Sequence, residues 1–530
     1  MRNYPIIFIL LSYLLSEPFD GLTLITSMGG GGQGGGGVKY SHLIDNEQNI
    51  INSWTHTTAP ASIAYLFPDS ILYVPCKISQ GGGQGGGPNG GRFKKMDWEG
   101  NVIWDYTLSS EICIPHHDIA VLPNGNILSI CSETKTQEEA IDSGILNLNG
   151  SMTLDMIVEI RPEENNEASI VWEWHFWDHL IQDVNNTLNN YGSLSENPQL
   201  LNINCQSAMN GGSEGSIVDW NHCNAISYNS ILDQIVLSSR HMNEIFVIDH
   251  STTSDQAASH SGGNSGKGGD MLYRWGNPQN YNRGNSSNHI LDSQHGVNWI
   301  PIGYSGEGNF ILFNNNHSNN SSAVLEIVPP INVDGLYDIN DTDPFGPAIY
   351  SWIHQENFYS NTQSGAFRLP NGNTIITSTS EQNVFEVDNA GNIQWVYEGD
   401  LGTARAIKYP LDYLVNNIWE GDINNDGSTD VLDIVIAVNF VLSNEYNELA
   451  DLNGDGVVNV LDIVQLVNII LNPNIQLPDE CYIIPEIGPC DGICPTYYFN
   501  QNSNQCEEFI TGCCGVEAFN TLQECQNTCE

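Results

Sequence analysis

The sequence predicts a mainly β protein: a six-bladed β-propeller, then a small α-helical module built on two calcium loops, then a small disulfide-rich α+β domain. Three observations lead there. Short β-rich runs recur with a tryptophan in the last strand of each unit, an acid-rich loop occurs twice 29 residues apart, and eight of the 13 cysteines lie between Cys481 and Cys529.

Residues 1–21 read as a secretory signal, because Met1-Arg2 precede an apolar run from Ile6 to Leu15 that suits a signal core and is too short to span a bilayer. No other segment is long and apolar enough to cross a membrane. The 63 acidic and 15 basic residues give a net charge of -48, which repels nucleic acid and anionic membranes and draws divalent cations. A cysteine density like that of the last segment persists only in an oxidising compartment, so the chain is expected to be exported to the periplasm, the cell surface or the medium. The other five cysteines, Cys76, Cys113, Cys131, Cys205 and Cys223, form no CxxC pair and suggest no zinc site.

Residues 22–415 form the first predicted domain. Apolar residues there alternate in short runs broken by Gly, Asn, Asp and Pro, with almost no helical periodicity. A Leu-Pro-Asn-Gly-Asn element recurs at Leu122–Asn126 and Leu369–Asn373, and tryptophan-centred closing strands recur around Trp54, Trp104, Trp172, Trp275, Trp352 and Trp395. These are units of about 60 residues, the size of a four-stranded blade with long loops. The glycine tracts 29–37 and 81–91 read as mobile loops. The run from Gly262 to Gly268 lacks the Ser or Thr that must follow Lys267 in a phosphate loop, so no nucleotide site is expected.

Histidines recur in one register of these units. His117, His222 and His295 each stand just before or at the first strand of a blade, where side chains face the central channel, whereas the sixth blade has Gly365-Ala366 there. Asn224 follows His222 by two residues, and Arg240 lies one strand downstream. An arginine fork, an amide and imidazoles form an anion site in outline, with nucleophile, acid and base available near neutral pH. Arg240 would repel a divalent cation, which ranks metal binding by the three histidines below anion binding.

Pro115-His116-His117-Asp118-Ile119, Asp219-Trp220-Asn221-His222-Cys223-Asn224, Ser238-Ser239-Arg240-His241 and Gln294-His295-Gly296-Val297 resemble the motifs of bacterial arylsulfate sulfotransferases, which are six-bladed propeller enzymes. The resemblance implies transfer of a sulfuryl group from an aryl sulfate donor to a phenolic acceptor through a sulfo-histidine, without a nucleotide cofactor. It implies that His295 is the nucleophile, that Arg240, His222 and Asn224 hold the sulfuryl oxygens, and that His117 handles the phenol proton, with His116 as the alternative in register.

Residues 419–473 form the second predicted domain. Asp422, Asn424, Asp426, Asp430 and Asp433 repeat as Asp451, Asn453, Asp455, Asn459 and Asp462, with Gly427 and Gly456 at the sharp turn. Oxygen ligands at loop positions 1, 3, 5, 9 and 12, with the carbonyls of Ser428 and Val457 at position 7, suit two structural calcium ions. Each loop runs into an apolar-periodic helix. One loop and one helix per repeat, with Asp at position 12, resembles a type I dockerin, which implies either a cohesin-like partner or packing within the chain.

Residues 480–530 form the third. Cys481, Cys490, Cys506, Cys514, Cys525 and Cys529 are separated by 8, 15, 7, 10 and 3 residues. With Gly488-Pro489-Cys490 and Tyr497-Tyr498-Phe499-Asn500, this spacing resembles a Kunitz inhibitor domain. The resemblance implies the pairs Cys481–Cys529, Cys490–Cys514 and Cys506–Cys525, with Cys494–Cys513 as an extra bridge. Asp491 stands where a trypsin-like protease wants Lys or Arg, so a protease partner is weakly supported and a stabilising or binding cap is the better reading. Two other readings of the whole chain remain, a non-catalytic extracellular ligand-binding or adhesion scaffold and a secreted serine-protease inhibitor.

Overall fold

The computed structural model describes residues 17–27, 39–78, 90–108, 113–205, 217–318, 321–355, 358–399 and 402–414 of the first part of the chain. Beyond them it describes 421, 423–424, 429, 431–443, 446–447, 449–452, 457–471, 494–500, 505–511, 519, 522 and 525. The chain divides into two compact units, Met1–Asn417 and Ile418–Glu530. The apolar run 6–15, the glycine tracts 29–37 and 81–89, six of the expected calcium ligands (Asp422, Asp426, Ser428, Asp430, Asn453, Asp455), Asp491, and Cys481, Cys490, Cys513, Cys514 and Cys529 lie outside the described residues.

The first unit is the expected six-bladed propeller. Six sheets, each with four antiparallel strands in sequence, stand around a channel, and Val218–Asp219 adds a short parallel pairing to the third. Blade one is a composite. Gly21–Thr26, Lys39–Ile44 and Ile50–His56 supply its outer strands, while its inner strand, Ile407–Pro410, comes from the end of the domain. The register Gly21↔Pro410 to Leu24↔Ile407 thereby closes the circle. The inner strands of the other blades are Tyr65–Leu66, Ile114–Val121, Cys223–Asn229, His295–Trp299 and Gly365–Arg368.

The repeat has a physical basis. The last asparagine of the Leu-Pro-Asn-Gly-Asn turn, and Asn309 at the equivalent place in blade five, donates its side-chain amide to a glutamate on the third strand of the same blade. Asn126 reaches Glu159 at 2.5 Å, Asn309 reaches Glu326 at 2.6 Å, and Asn373 reaches Glu386 at 2.6 Å. These buried carboxylates also take up buried cations. Arg368 pairs with Glu326, and Lys408 pairs with Glu386 at 2.8 Å. Charges that far from water persist because each is paired and hydrogen-bonded.

The tryptophans join one blade to the next. Trp54 donates its indole N–H to Asp97 O (2.8 Å), Trp104 to Glu167 O (3.1 Å), Trp275 to Pro347 O (2.7 Å), Trp352 to Asn389 O (2.9 Å) and Trp395 to Asn46 O (2.8 Å). Trp172 uses the Thr252 hydroxyl instead, at 3.2 Å. Every acceptor lies in the turn between the third and fourth strands of the following blade. An indole buries a large apolar face and needs a partner for one N–H, which this position supplies. Apolar layers fill the gaps between blades, as where Leu43 and Trp54 of blade one meet Leu72 and Val74 of blade two. A bridge between Cys113 and Cys131 ties the start of blade three to its second strand, and Cys76, Cys205 and Cys223 are buried thiols.

In the second unit, helices Val431–Ser443 and Val460–Leu471 follow the two acid-rich loops and share a core with Ile423, Ala437, Ala450, Val458 and Leu466. A hairpin of Cys494–Asn500 and Gln505–Thr511 carries the expected Cys506–Cys525 bridge, and Tyr497 pairs with Phe519. No helix among the described residues is long and apolar enough to cross a membrane.

Trp395→Phe removes the bond from blade six to blade one and leaves the half-buried carbonyl of Asn46 short of its partner. Urea unfolding at fixed calcium is expected to show a loss of about 1–3 kcal/mol. Unchanged stability would mean that the indole bonds do not hold the ring.

Candidate functional site

Every channel histidine stands at an irregularity of an inner strand. The pairing register slips between Pro115 and Ile119, between Cys223 and Ala225, and between His295 and Asn298. A bulge bends the strand and re-aims a side chain, and it recurs next to functional sites. His117 (φ 57°) and His222 (φ 51°) also adopt left-handed backbone, a conformation that costs about 1–2 kcal/mol for an L-residue. Blade six has no such slip at Gly365.

The structure brings His117, His222, His295, Asn224 and Arg240 into one cluster. The rings of His117 and His222 lie 4.8 Å apart, and His222 stacks on His241 at 4.7 Å. His117 interacts electrostatically with His295, and His295 with Arg240 and His222.

Hydrogen bonds assign the protons of His295. Its Nδ1 lies 2.9 Å from the carbonyl of Ser293 and 2.8 Å from Asn315 Oδ1. The Asn315 amide is oriented in turn, since its nitrogen donates to the carbonyls of Ser360 (2.8 Å) and Gln363 (3.1 Å). Two acceptors therefore face Nδ1, which must carry the hydrogen, and Nε2 keeps a free lone pair. Burial lowers the His295 pKa to about 3; the Asn315 bond opposes this shift, and Arg240 and His222 reinforce it. The ring is thus neutral at physiological pH.

The rings of His116 and His117 are hydrogen-bonded to each other. His116 Nε2 lies 2.9 Å from Asp155 Oδ1, and its Nδ1 lies 2.7 Å from His117 Nδ1. In the arrangement where His116 Nε2–H donates to Asp155, His116 Nδ1 accepts from His117 Nδ1–H, which leaves His117 Nε2 with its lone pair. Burial is the main cause that pushes His117 well below the ordinary histidine range, and His222, His116, His295 and Arg405 add to it. Asp155 also accepts from the backbone N–H of Cys223, so it ties this histidine pair to blade four.

Asp219 holds His222 through Nδ1 at 2.5 Å, and its backbone carbonyl accepts from His241 Nδ1 at 2.9 Å. Burial of Asp219 opposes ionisation, but its hydrogen bond to His222 and the nearby histidines hold the carboxyl below its usual range. Arg240 is the exception among the described arginines: each of the others has a carboxylate or carbonyl acceptor, while its half-buried guanidinium meets none among the described residues. Asn224 is committed in part, since its amide donates to the carbonyl of Gln294 at 2.7 Å and so fixes the residue before His295.

Three participants escaped sequence reasoning. Asp155 lies two strands away from the histidine pair it serves, and Asn315 one strand away from His295. Arg405 stands two residues before the closing strand of blade one, pairs with Asp118 at 2.6 Å, and shares that carboxylate with the Tyr65 hydroxyl at 2.8 Å. Its side chain fills the place that a β-carbon at Gly365 would occupy, which explains why the sixth blade carries glycine there.

The structure thus brings three bulge-associated imidazoles together with a guanidinium that meets no acceptor among the described residues, within a six-bladed propeller. A family model described as Arylsulfotransferase (ASST) matches residues 81–380, and the chain belongs to that family. A Dockerin type I domain matches 420–471, and a Kunitz/Bovine pancreatic trypsin inhibitor domain matches 480–530. In the last region the chain is 48% identical over 61 residues to tissue factor pathway inhibitor of Rattus norvegicus, covering 11% of this chain and 20% of that protein. It is 41% identical over 54 residues to Kunitz-type serine protease inhibitor IX of Bungarus fasciatus, covering 10% of this chain and 83% of the relative. Among solved structures, a protein of unknown function from Bacteroides caccae aligns over 73% of this chain and 98% of its own, with 9% identity and a TM-score of 0.38. Virginiamycin B lyase from Staphylococcus aureus aligns over 74% and 85%, with 11% identity and a TM-score of 0.29, and neither likeness carries a functional argument.

The proton assignment of His295 has a consequence for stability. Unfolded, this imidazole takes up a proton near pH 6.5; folded, it stays neutral down to about 3. Its contribution to stability is complete above the unfolded value and is lost as pH falls through this window. Urea unfolding at stepped pH is expected to show His295→Asn losing less stability per unit than the parent, by about 1.4 kcal/mol. Equal slopes would mean that His295 is protonated in the fold.

Proposed function

We propose that the propeller moves a sulfuryl group from an aryl sulfate to a phenol through a sulfo-histidine at His295, without a nucleotide donor. The observation that carries this reading is the arrangement of His295, with Nδ1–H held by two acceptors and the Nε2 lone pair free, within electrostatic reach of the unpaired Arg240. In the first displacement Nε2 attacks sulfur, the N–S bond forms, the S–O bond to the aryl group breaks, and the electron pair leaves on the phenolate. The ring then carries positive charge, which the acceptors on Nδ1 stabilise.

In the second displacement an acceptor phenol gives its proton to His117 Nε2 as its oxygen attacks sulfur. The O–S bond forms, the N–S bond breaks, and His295 recovers its lone pair. The proton on His117 passes to the next departing phenolate. Arg240, His222 held by Asp219, and the remaining amide hydrogen of Asn224 face the sulfuryl oxygens, where a loose transition state leaves its charge. Two displacements at one nucleophile imply ping-pong kinetics.

The same reading extends to the rest of the chain. Residues 1–21 serve as an export signal, 22–415 as the enzyme, 419–473 as a calcium-bound dockerin and 480–530 as a Kunitz domain. Asp433 and Asp462, at position 12 of the two loops, are fully buried, and each already accepts backbone N–H bonds from its own loop. Such carboxylates fit two calcium ions held by Asp422, Asn424, Asp426, Ser428, Asp430 and Asp433 and by their counterparts 29 residues on. A cohesin-like domain or own-chain packing would use the dockerin. The Kunitz domain acts as a cap, and Asp491 disfavours a trypsin-like target.

Purified chain given an aryl sulfate and a simple phenol, with no nucleotide, is expected to sulfate the phenol, and His295→Ala to abolish this. Arg240→Ala should lower kcat by about 100- to 1,000-fold. A folded chain inactive over a broad panel of donors and acceptors would favour the ligand-binding scaffold. Calcium titration by calorimetry should find two sites in the parent and one in Asp433→Ala; the same stoichiometry in both chains would remove Asp433 from the ligand set.

A further inference from the structure

His179, His260 and Asp270 lie together in blade four and its approach, outside the channel cluster. One ligand atom from each falls within 4.8 Å of the others. Asp270 Oδ1 receives both rings, His179 Nδ1 at 2.9 Å and His260 Nδ1 at 2.7 Å. His179 is fully buried, and its other nitrogen, Nε2, lies 2.9 Å from the carbonyl of Ala257.

That carbonyl has no proton to give, so Nε2 must carry the hydrogen. With a metal, Nδ1 offers its lone pair to the cation, the ring stays neutral, and Ala257 fixes its tautomer. This is the outer-sphere arrangement that orients metal-bound histidines. Two imidazoles and one carboxylate are the donors of a borderline-soft divalent ion such as zinc.

The cluster is held in place by the fold. Trp174 stacks on His179 at 5.4 Å and donates its indole N–H to Gly269 O at 2.8 Å. A β-carbon on Gly269 would strike His179, Trp174 and the Ala257 carbonyl, so only glycine lets the loop return over the ring. His260 is 61% exposed in its side chain and lines a cavity of about 550 Å³, together with Trp177 and Tyr191. A net charge of -48 draws divalent cations to this surface.

We propose that His179, His260 and Asp270 bind one divalent transition-metal ion, with a coordination position left for water from the cavity. The test uses the tag-free full chain, freed of transition metals and kept in excess calcium, titrated with cobalt(II) as a visible probe and then with zinc. One equivalent of cobalt should give intense low-coordinate d–d absorption that zinc displaces, with quenching of tryptophan fluorescence by cobalt. His260→Ala, an exposed position expected to leave the fold intact, should weaken affinity by more than about 100-fold. Absence of the band, or its persistence in His260→Ala, would overturn the proposal. So would its loss in His241→Ala but not in His260→Ala, which would place the ion in the channel.

Discussion

Six twisted sheets arranged around an axis need a bond between the first and the last, and here Ile407–Pro410 provides it by pairing with Gly21–Thr26. The site depends on that closure. Arg405 enters the channel on the same segment, and its pair with Asp118 and Tyr65 joins blades one, two and three around the histidines. The indole bonds from each blade to the next complete the ring, with Trp395 on Asn46 as the step that spans its two ends. A channel residue on one blade has a defined distance to a residue on another only while this circle is closed.

Within the ring, electrostatics sort otherwise similar imidazoles into different roles. His295 and His117 are deprived of water and of carboxylate partners of their own, so burial keeps both neutral. His222 has a carboxylate on Nδ1. On the proposed reaction the two neutral rings supply a nucleophile and a base, while His222, held by Asp219, faces the sulfuryl oxygens. Arg240 meets no acceptor among the described residues, in a chain where acids outnumber bases 63 to 15. On the proposed reaction this vacancy is filled by the sulfuryl oxygens, and the overall negative charge is countered only locally.

Much of this was legible in the sequence, and what was hidden has a common cause. The six closing strands were readable because each tryptophan must bury an indole against the following blade, and the turn repeat because each asparagine serves a glutamate. The histidine register was readable because inner strands start at equivalent places. Arg405 was hidden because its blade is assembled from both ends of the domain, so its register appears only after closure. Asp155 and Asn315 were hidden because their partners lie 39 and 20 residues away. The Cys113–Cys131 bridge carried no spacing signal of its own.

The central claim is that His295 becomes covalently sulfated. It is tested most directly by rapid mixing of the purified chain with an aryl sulfate and no acceptor, followed by intact-mass measurement and peptide mapping under conditions that preserve N–S bonds. The account predicts a gain of one SO₃ group, mapped to His295 and discharged when a phenol is added. Turnover of donor and acceptor with no adduct, or with the group on another residue, would contradict it.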